Sequence, residues 1–257
     1  MSVAHARSIL AALTALVSVA AFRDARAQTP VGDTLPHRLR VDAKPLRGGE
    51  WVYQTTLERD NGTMILGTRT VSVAPATYAG SSAWLLLETR SGDGIPAVDS
   101  LFTDLNTVRP LHWSSTLGGA RLAAEFRGDT AYVGTSAPSG RHSIIAAVPN
   151  GSLINAAMLE TVLRLVPLQT AWEDSTTTIS VSLSGATVLA TRLSVIGDDQ
   201  VRVPAGVFDC WVVAIHAESA RGLYWVTKRD AIVVRSVLDV PTLGGAQLVT
   251  ALTRIAR

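Results

Sequence analysis

The sequence predicts a mainly β domain, built as a curved antiparallel sheet or incomplete β-barrel with one packed helix. Three observations carry this expectation. Short β-prone runs recur along the chain, punctuated by Gly, Pro, Asp and Ser at the turns. One apolar stretch, Leu153 to Val166, contains neither Gly nor Pro and breaks that rhythm. Connections are short on both sides of it, which favours an antiparallel meander over βαβ units.

Residues 1–27 read as a cleaved secretory signal. His5 and Arg7 precede an apolar run from Ile9 to Phe22, and the small-residue triplet Ala25-Arg26-Ala27 stands before Gln28. A bilayer-spanning helix needs roughly 20 apolar residues, and here Arg23, Asp24 and Arg26 follow directly on a shorter run. Cleavage is expected after Ala27. No cysteine lies there to be lipidated, so the product is expected in the periplasm or outside the cell and not as a lipoprotein. The signal carries three of the 23 basic residues and one of the 21 acidic ones, so 20 of each remain. An electroneutral domain without a Lys/Arg block lacks the footprint of a nucleic-acid binder and a polybasic membrane patch.

Residues 28–48 are expected to form an irregular arm, since Pro30, Gly32, Pro36 and Pro45 prevent any period from being established. Residues 49–257 are expected to form a single domain. It opens with a hairpin in which Trp51–Arg59 and Thr63–Val73 flank Asp60-Asn61-Gly62, where Asn-Gly suits a type I′ turn. Strands are expected at 83–89, 98–104, 108–114, 121–126, 130–135 and 141–146. The helix is expected at about 152–166, apolar around most of its circumference and therefore buried across a sheet face, with Glu160 and Arg164 at i,i+4 spacing. Strands then resume at 176–183, 188–196, 201–203, 208–217, 222–227, 231–239 and 247–253, with Gly197-Asp198-Asp199 and Lys228-Arg229-Asp230 read as turns. Both faces of Phe208–Ala217 are largely apolar, so this strand is expected to be covered on both sides.

The chain carries no catalytic motif. Gly-x-Ser-x-Gly is absent, and Ser184 in Val181-Ser182-Leu183-Ser184-Gly185 is read as a turn residue. His37, His112, His142 and His216 lie in separate segments without the spacing of a zinc site. A dispersed hydrolase site would need one of the last three to meet a carboxylate and a serine. Ser91-Gly92-Asp93-Gly94, with Asp99 and Asp104 beyond, departs from a calcium loop. The only cysteine, Cys210, excludes an intramolecular disulfide and sits on a strand between Phe208 and Val212, where burial would keep its thiol inert. No metal and no cofactor are expected.

The stretch Val203-Pro204-Ala205-Gly206-Val207-Phe208-Asp209-Cys210, with Tyr224-Trp225-Val226-Thr227 and Val233-Val234-Arg235, resembles an exported bacterial family of unknown function described as TapB-like. Asn106-Thr107-Val108-Arg109-Pro110-Leu111 and Leu163-Arg164-Leu165-Val166-Pro167-Leu168 extend the resemblance, which runs from about Trp51 to the C-terminus. It implies a fold similar to the periplasmic lipoprotein carriers LolA and LolB, and no catalytic residues. The expected function is a non-enzymatic domain that binds an apolar or lipid-like molecule in the cell envelope. Trp84, Leu153, Met158, Val162, Phe208 and Trp225 are the candidate lining. The alternative is a protein-interaction or scaffold module whose helix fills the sheet and leaves no cavity.

Overall fold

The computed structural model describes residues 39, 41, 46–92, 96–128, 130–137, 140–147, 153–182, 185–217 and 220–256. The export segment expected at residues 1–27, and the loop residues Asp93 and Gly94, lie outside them. Of the expected arm, Leu39 and Leu46 are buried in the core. Two leucines of the expected arm thus dock on the core.

Eight strands come first: β1 (Gly49–Arg59), β2 (Gly62–Tyr78), β3 (Ser81–Ser91), β4 (Ala97–Asp104), β5 (Pro110–Leu117), β6 (Ala120–Arg127), β7 (Thr130–Ala137) and β8 (Gly140–Ala147). A two-residue strand β9 (Leu153–Ile154) leads into helix α1 (Asn155–Leu163). Then follow β10 (Glu173–Ser182), β11 (Gly185–Val203), β12 (Gly206–Ala217), β13 (Ala220–Thr227), β14 (Val233–Val240) and β15 (Ala246–Ala256). All belong to one sheet, ordered β8-β7-β6-β5-β4-β3-β2-β1-β15-β14-β13-β12-β11-β10-β9. Every ladder is antiparallel except that of β9 on β10.

The two blocks of strands are therefore halves of one sheet, joined at its middle where β1 pairs with β15. The sheet is long, curved and unclosed. Cα atoms of β8, at one end, come within 8 Å of β11, near the other, yet no ladder links them. The chain that leaves β8 enters β9 and α1 before reaching β10, so the helix belongs to the connection between the two edges.

Local differences from the expected elements have local causes. In the first hairpin Arg59 pairs with Gly62, so Asp60 and Asn61 take the central positions. Neither has positive φ, and Gly62, at φ 137°, opens β2; the type I′ turn expected at Asn61-Gly62 is not formed. The turn expected at Gly197-Asp198-Asp199 is also replaced. β11 runs through it as a 19-residue strand, with a register shift between Val195 and Gly197 against β12. A bulge absorbs one residue without ending the ladder, and Asp198 and Asp199 find partners across the strands. The helix is shorter than 152–166. Residues 153–154 pair with Thr178 and Ile179, and tight turns follow Leu163, with Arg164 N–H donating to Thr161 O and Leu165 N–H to Val162 O. Lys228-Arg229-Asp230 does form the turn expected there.

One continuous apolar core joins both halves, from Trp113, Leu122 and Val133 on the first to Ile179, Leu193 and Val213 on the second, with Leu159, Val162 and Leu163 of α1 between them. On β12 both Val213 and Cys210, which point to opposite faces, are fully buried. The tip of the β11–β12 hairpin contributes to this closure: Ala205 N–H donates to Leu252 O of β15, three strands away.

Candidate functional site

Side chains at alternate positions of β2, β3 and β4 face the core: Arg69, Val71 and Val73; Leu86, Glu88 and Arg90; Asp99, Leu101 and Thr103. Four charged groups thus occupy apolar phases of three adjacent strands, and α1 presents a fifth, Glu160, to them. The Arg69 guanidinium is a fork on the helix carboxylate. Its Nη1 donates to Glu160 Oε1 at 2.8 Å, and Nη2 to Glu160 Oε2 at 2.9 Å and to Glu88 Oε2 at 2.8 Å. Arg69, Glu88 and Glu160 are each 8–9% exposed. Arg90 extends the network, pairing with Asp99 and bringing Nε to 3.3 Å from Glu88 Oε1.

Two aromatic walls border the charges. Arg69 lies 5.4 Å from the Tyr53 ring centroid, and the Tyr53 hydroxyl donates to Val233 O at 3.0 Å. Arg164, just past the helix end, stacks 4.0 Å over Trp51. The i,i+4 relation of Glu160 and Arg164 is thus set aside: the carboxylate goes to the sheet arginine and Arg164 to an indole face.

Electrostatics follow from burial and pairing. Burial works against the Arg69 cation, but Glu160 and Glu88 overcome it and hold the guanidinium pKa well above its ordinary value. Burial likewise opposes the Glu88 anion, yet Arg69 and Arg90 keep its carboxyl below the ordinary range. At Asp99 burial wins over Arg90 and a hydrogen bond from Ser115, and the carboxyl is raised. Burial lowers Arg164 and raises the Tyr53 and Tyr224 hydroxyls. The cluster is positional in character. A bidentate charge-assisted fork in a dry interior fixes distance and angle, here between a helix and a sheet.

Of the residues expected to line a ligand space, Val162 lies on α1 and is 1% exposed. Trp84 lies on the inner phase of β3, in register with Thr103. Phe208 and Trp225 fall elsewhere. They share a face with Cys210 and Val212, opposite to Val213 and Tyr224, and it is Tyr224 that feels Glu160. Trp225 Nε1 donates to Asp199 Oδ2 at 3.2 Å and Arg235 lies 5.0 Å over its ring, so that indole closes the β11–β14 end of the sheet. The side chains of Leu153 and Met158 lie outside the described residues.

The structure gives partners or surroundings to several other sequence candidates. His112 Nδ1 lies 2.7 Å from Glu125 Oε1 on the outer face, and the Tyr78 hydroxyl also donates to Glu125, while Tyr78 stacks on His112. The carboxylate half of a hydrolase site is therefore met at His112. Among the described residues no serine hydrogen-bonds to His112, and Ser100 and Ser114 on that face hydrogen-bond to each other at 2.8 Å. His216 is exposed, and the side chains of His142 and Glu218 lie outside the described residues. Asp104 caps its own turn, accepting from the N–H groups of Asn106 and Thr107 and from the Thr107 hydroxyl. Burial, then Asp199 and Asp209, push the Cys210 thiol up to about 12, which makes it inert at neutral pH. Among the described residues no group of three His, Cys, Asp or Glu could hold a metal ion, and no helix is long and apolar enough to cross a membrane.

Sequence reasoning missed Arg69 and Glu88, and set Glu160 beside Arg164 instead of Arg69. The available signal was phase: each is a charged residue standing where the alternation of its strand, or the girdle of the helix, asks for an apolar one.

A structural similarity extends to a DUF1329 family protein from Desulfovibrio piger, known from a crystal structure at 1.75 Å resolution. Identity is 9%, 83% of this chain and 86% of that one are covered, and the TM-score is 0.30. No curated protein matches the chain in sequence. A family model described as "Protein of unknown function (DUF3108)" matches residues 52–249. A family of unknown function was expected, though under the TapB-like name, which this match does not carry. Covering most of the chain and both halves of the sheet, the match places the protein in the DUF3108 family.

Proposed function

We propose that this is an exported, non-enzymatic binding domain that works in the periplasm or outside the cell after loss of residues 1–27, and that it holds an apolar or lipid-like molecule between α1 and the concave face of the sheet. The carrying observation is the way α1 is attached. Nine residues of helix stand between the two edges of an unclosed sheet, and a single buried carboxylate, Glu160, is gripped by Arg69. Around it the described part of the helix buries Thr161 and three apolar side chains, Leu159, Val162 and Leu163. Each such side chain loses about 1.5–3 kcal/mol when returned to water, and an apolar ligand that takes its place restores most of that term. The helix thus occupies the room that its own chemistry describes, an apolar body with one anionic group.

A second reading is favoured by a different observation. Val162, Leu163 and Leu165 are 0–3% exposed and weld both halves into one core, as in a filled interaction module that acts through its surface. One experiment separates the two. Native mass spectrometry after gentle purification, followed by solvent extraction, detects a co-purifying lipid, and a fluorescent fatty-acid analogue reports uptake. Protein that arrives empty and takes up no analogue sinks the binding reading and leaves the filled module.

A further inference from the structure

Among the described residues the inner face of the sheet holds buried polar atoms without a hydrogen-bond partner, and two of them belong to residues in direct register. Trp84 on β3 and Thr103 on β4 are directly paired in register, so their Cβ atoms are neighbours on the same face. Thr103 is 0% exposed, and neither its Oγ1 nor the buried Nε1 of Trp84 has a hydrogen-bond partner among the described residues. Trp51 Nε1, on the inner phase of β1 near the same end of the sheet, is a third such atom. Most buried polar groups are satisfied, and one left orphaned costs about as much as a lost hydrogen bond. Two orphans in adjacent register therefore call for a partner from outside the chain.

Their chemistry restricts that partner. An indole N–H only donates, and a threonine hydroxyl can donate beside it, so the missing group is an acceptor oxygen. The carbonyl oxygen of an ester or amide supplies that acceptor without bringing a charge onto a face whose β2 and β3 cations, Arg69 and Arg90, are already taken by Glu160, Glu88 and Asp99. We infer that Trp84 and Thr103 form the polar foot of a ligand subsite that receives the carbonyl oxygen of an acyl ester or amide, with the apolar chain running along the inner face. This inference rests on the binding reading above and names the class of ligand: a neutral acyl compound.

The test uses the mature protein, residues 28–257, as wild type and as Thr103→Val, Thr103→Ser and Trp84→Phe. Methyl oleate and a hydrocarbon of matched length are titrated as competitors of a bound fluorescent apolar dye, and thermal midpoints are recorded without ligand. Wild type is expected to prefer the ester by about tenfold, the worth of one buried hydrogen bond. Thr103→Val and Trp84→Phe should each erase most of that preference while leaving hydrocarbon affinity alone, and Thr103→Ser should retain it. Thr103→Val should also raise the midpoint of the ligand-free protein, because it removes an unsatisfied hydroxyl at equal volume. Equal binding of ester and hydrocarbon by wild type overturns the inference while the binding reading stands. So does a Thr103→Val variant that is less stable and keeps the ester preference, since the hydroxyl is then satisfied by an internal water. If neither competitor nor dye binds, both fall together.

Discussion

The inner cluster of Arg69, Glu88 and Glu160 and the outer cluster of Tyr78, His112 and Glu125 are built from the same parts. In each, one central group joins two others through bonds of 2.7–3.0 Å. They differ in surroundings. The inner side chains are 10–11% exposed, whereas Glu125 is 45% and His112 22% exposed. Water competes for the outer bonds and screens their charges, so such pairs are worth about 0–1 kcal/mol. Inside, the charges have only one another. The same bond lengths thus mean obligatory pairing in one place and a small bonus in the other.

The largest effect should come from breaking the inner cluster on one side. Arg69→Met leaves the buried Glu160 without its cation and Glu88 with Arg90 alone, and the expected loss is about 3–5 kcal/mol, read as a fall in the urea midpoint. Replacing the whole group, as Arg69→Met with Glu88→Leu and Glu160→Leu, should recover most of that loss, because the triple variant buries no unpaired charge. A triple variant as unstable as the single would show that the charges are needed to place α1, not merely to neutralise one another.

A smaller effect should appear on acidification. Glu88 is held below the ordinary carboxylate range in the folded protein, so the unfolded chain binds the extra proton first, and stability is lost as pH falls through about 4.3 and below. Asp99 is raised. The folded state keeps its proton longer, and its contribution grows as pH falls over the same window. Stability measured at pH 7 and at pH 4 should therefore fall less in Glu88→Gln than in wild type, and more in Asp99→Asn. The reverse order would mean that the buried network ionises differently from the geometry described.

The smallest effect belongs to the outer face. A double-mutant cycle on His112→Ala and Glu125→Ala should give a coupling of about 0.2–1 kcal/mol that shrinks in 1 M salt. A coupling above about 2 kcal/mol would place this pair with the inner class and make the outer face a candidate site in its own right.

The architecture was legible because strands and helices announce themselves through period. Alternation located nearly every strand, and the Gly- and Pro-free run located the helix. Errors fell where punctuation was read as a stop. Gly197-Asp198-Asp199 has turn chemistry, yet twelve residues of β12 offer a ladder on which a bulge is cheaper than an ending. Val108 and Ala231, expected to open strands, instead adopt positive φ in the preceding turns.

The candidate site was legible only in part. Trp84 lies on the inner phase of β3 and Val162 is buried on α1. Phe208 and Trp225 were grouped with them because residue type alone carries no record of facing, and the structure places those two on the opposite face of the sheet.

By itself the sequence determined a mainly β chain with one buried helix, because hydrophobic period is a local property written into neighbouring residues. Only the tertiary structure decided that β1 and β15 meet at the centre of one sheet, and that Arg69 closes on Glu160, 91 residues away. Those pairings depend on which surfaces the curvature brings together. A charge in an apolar phase can be seen in the sequence, but its partner exists only once the chain has folded around it.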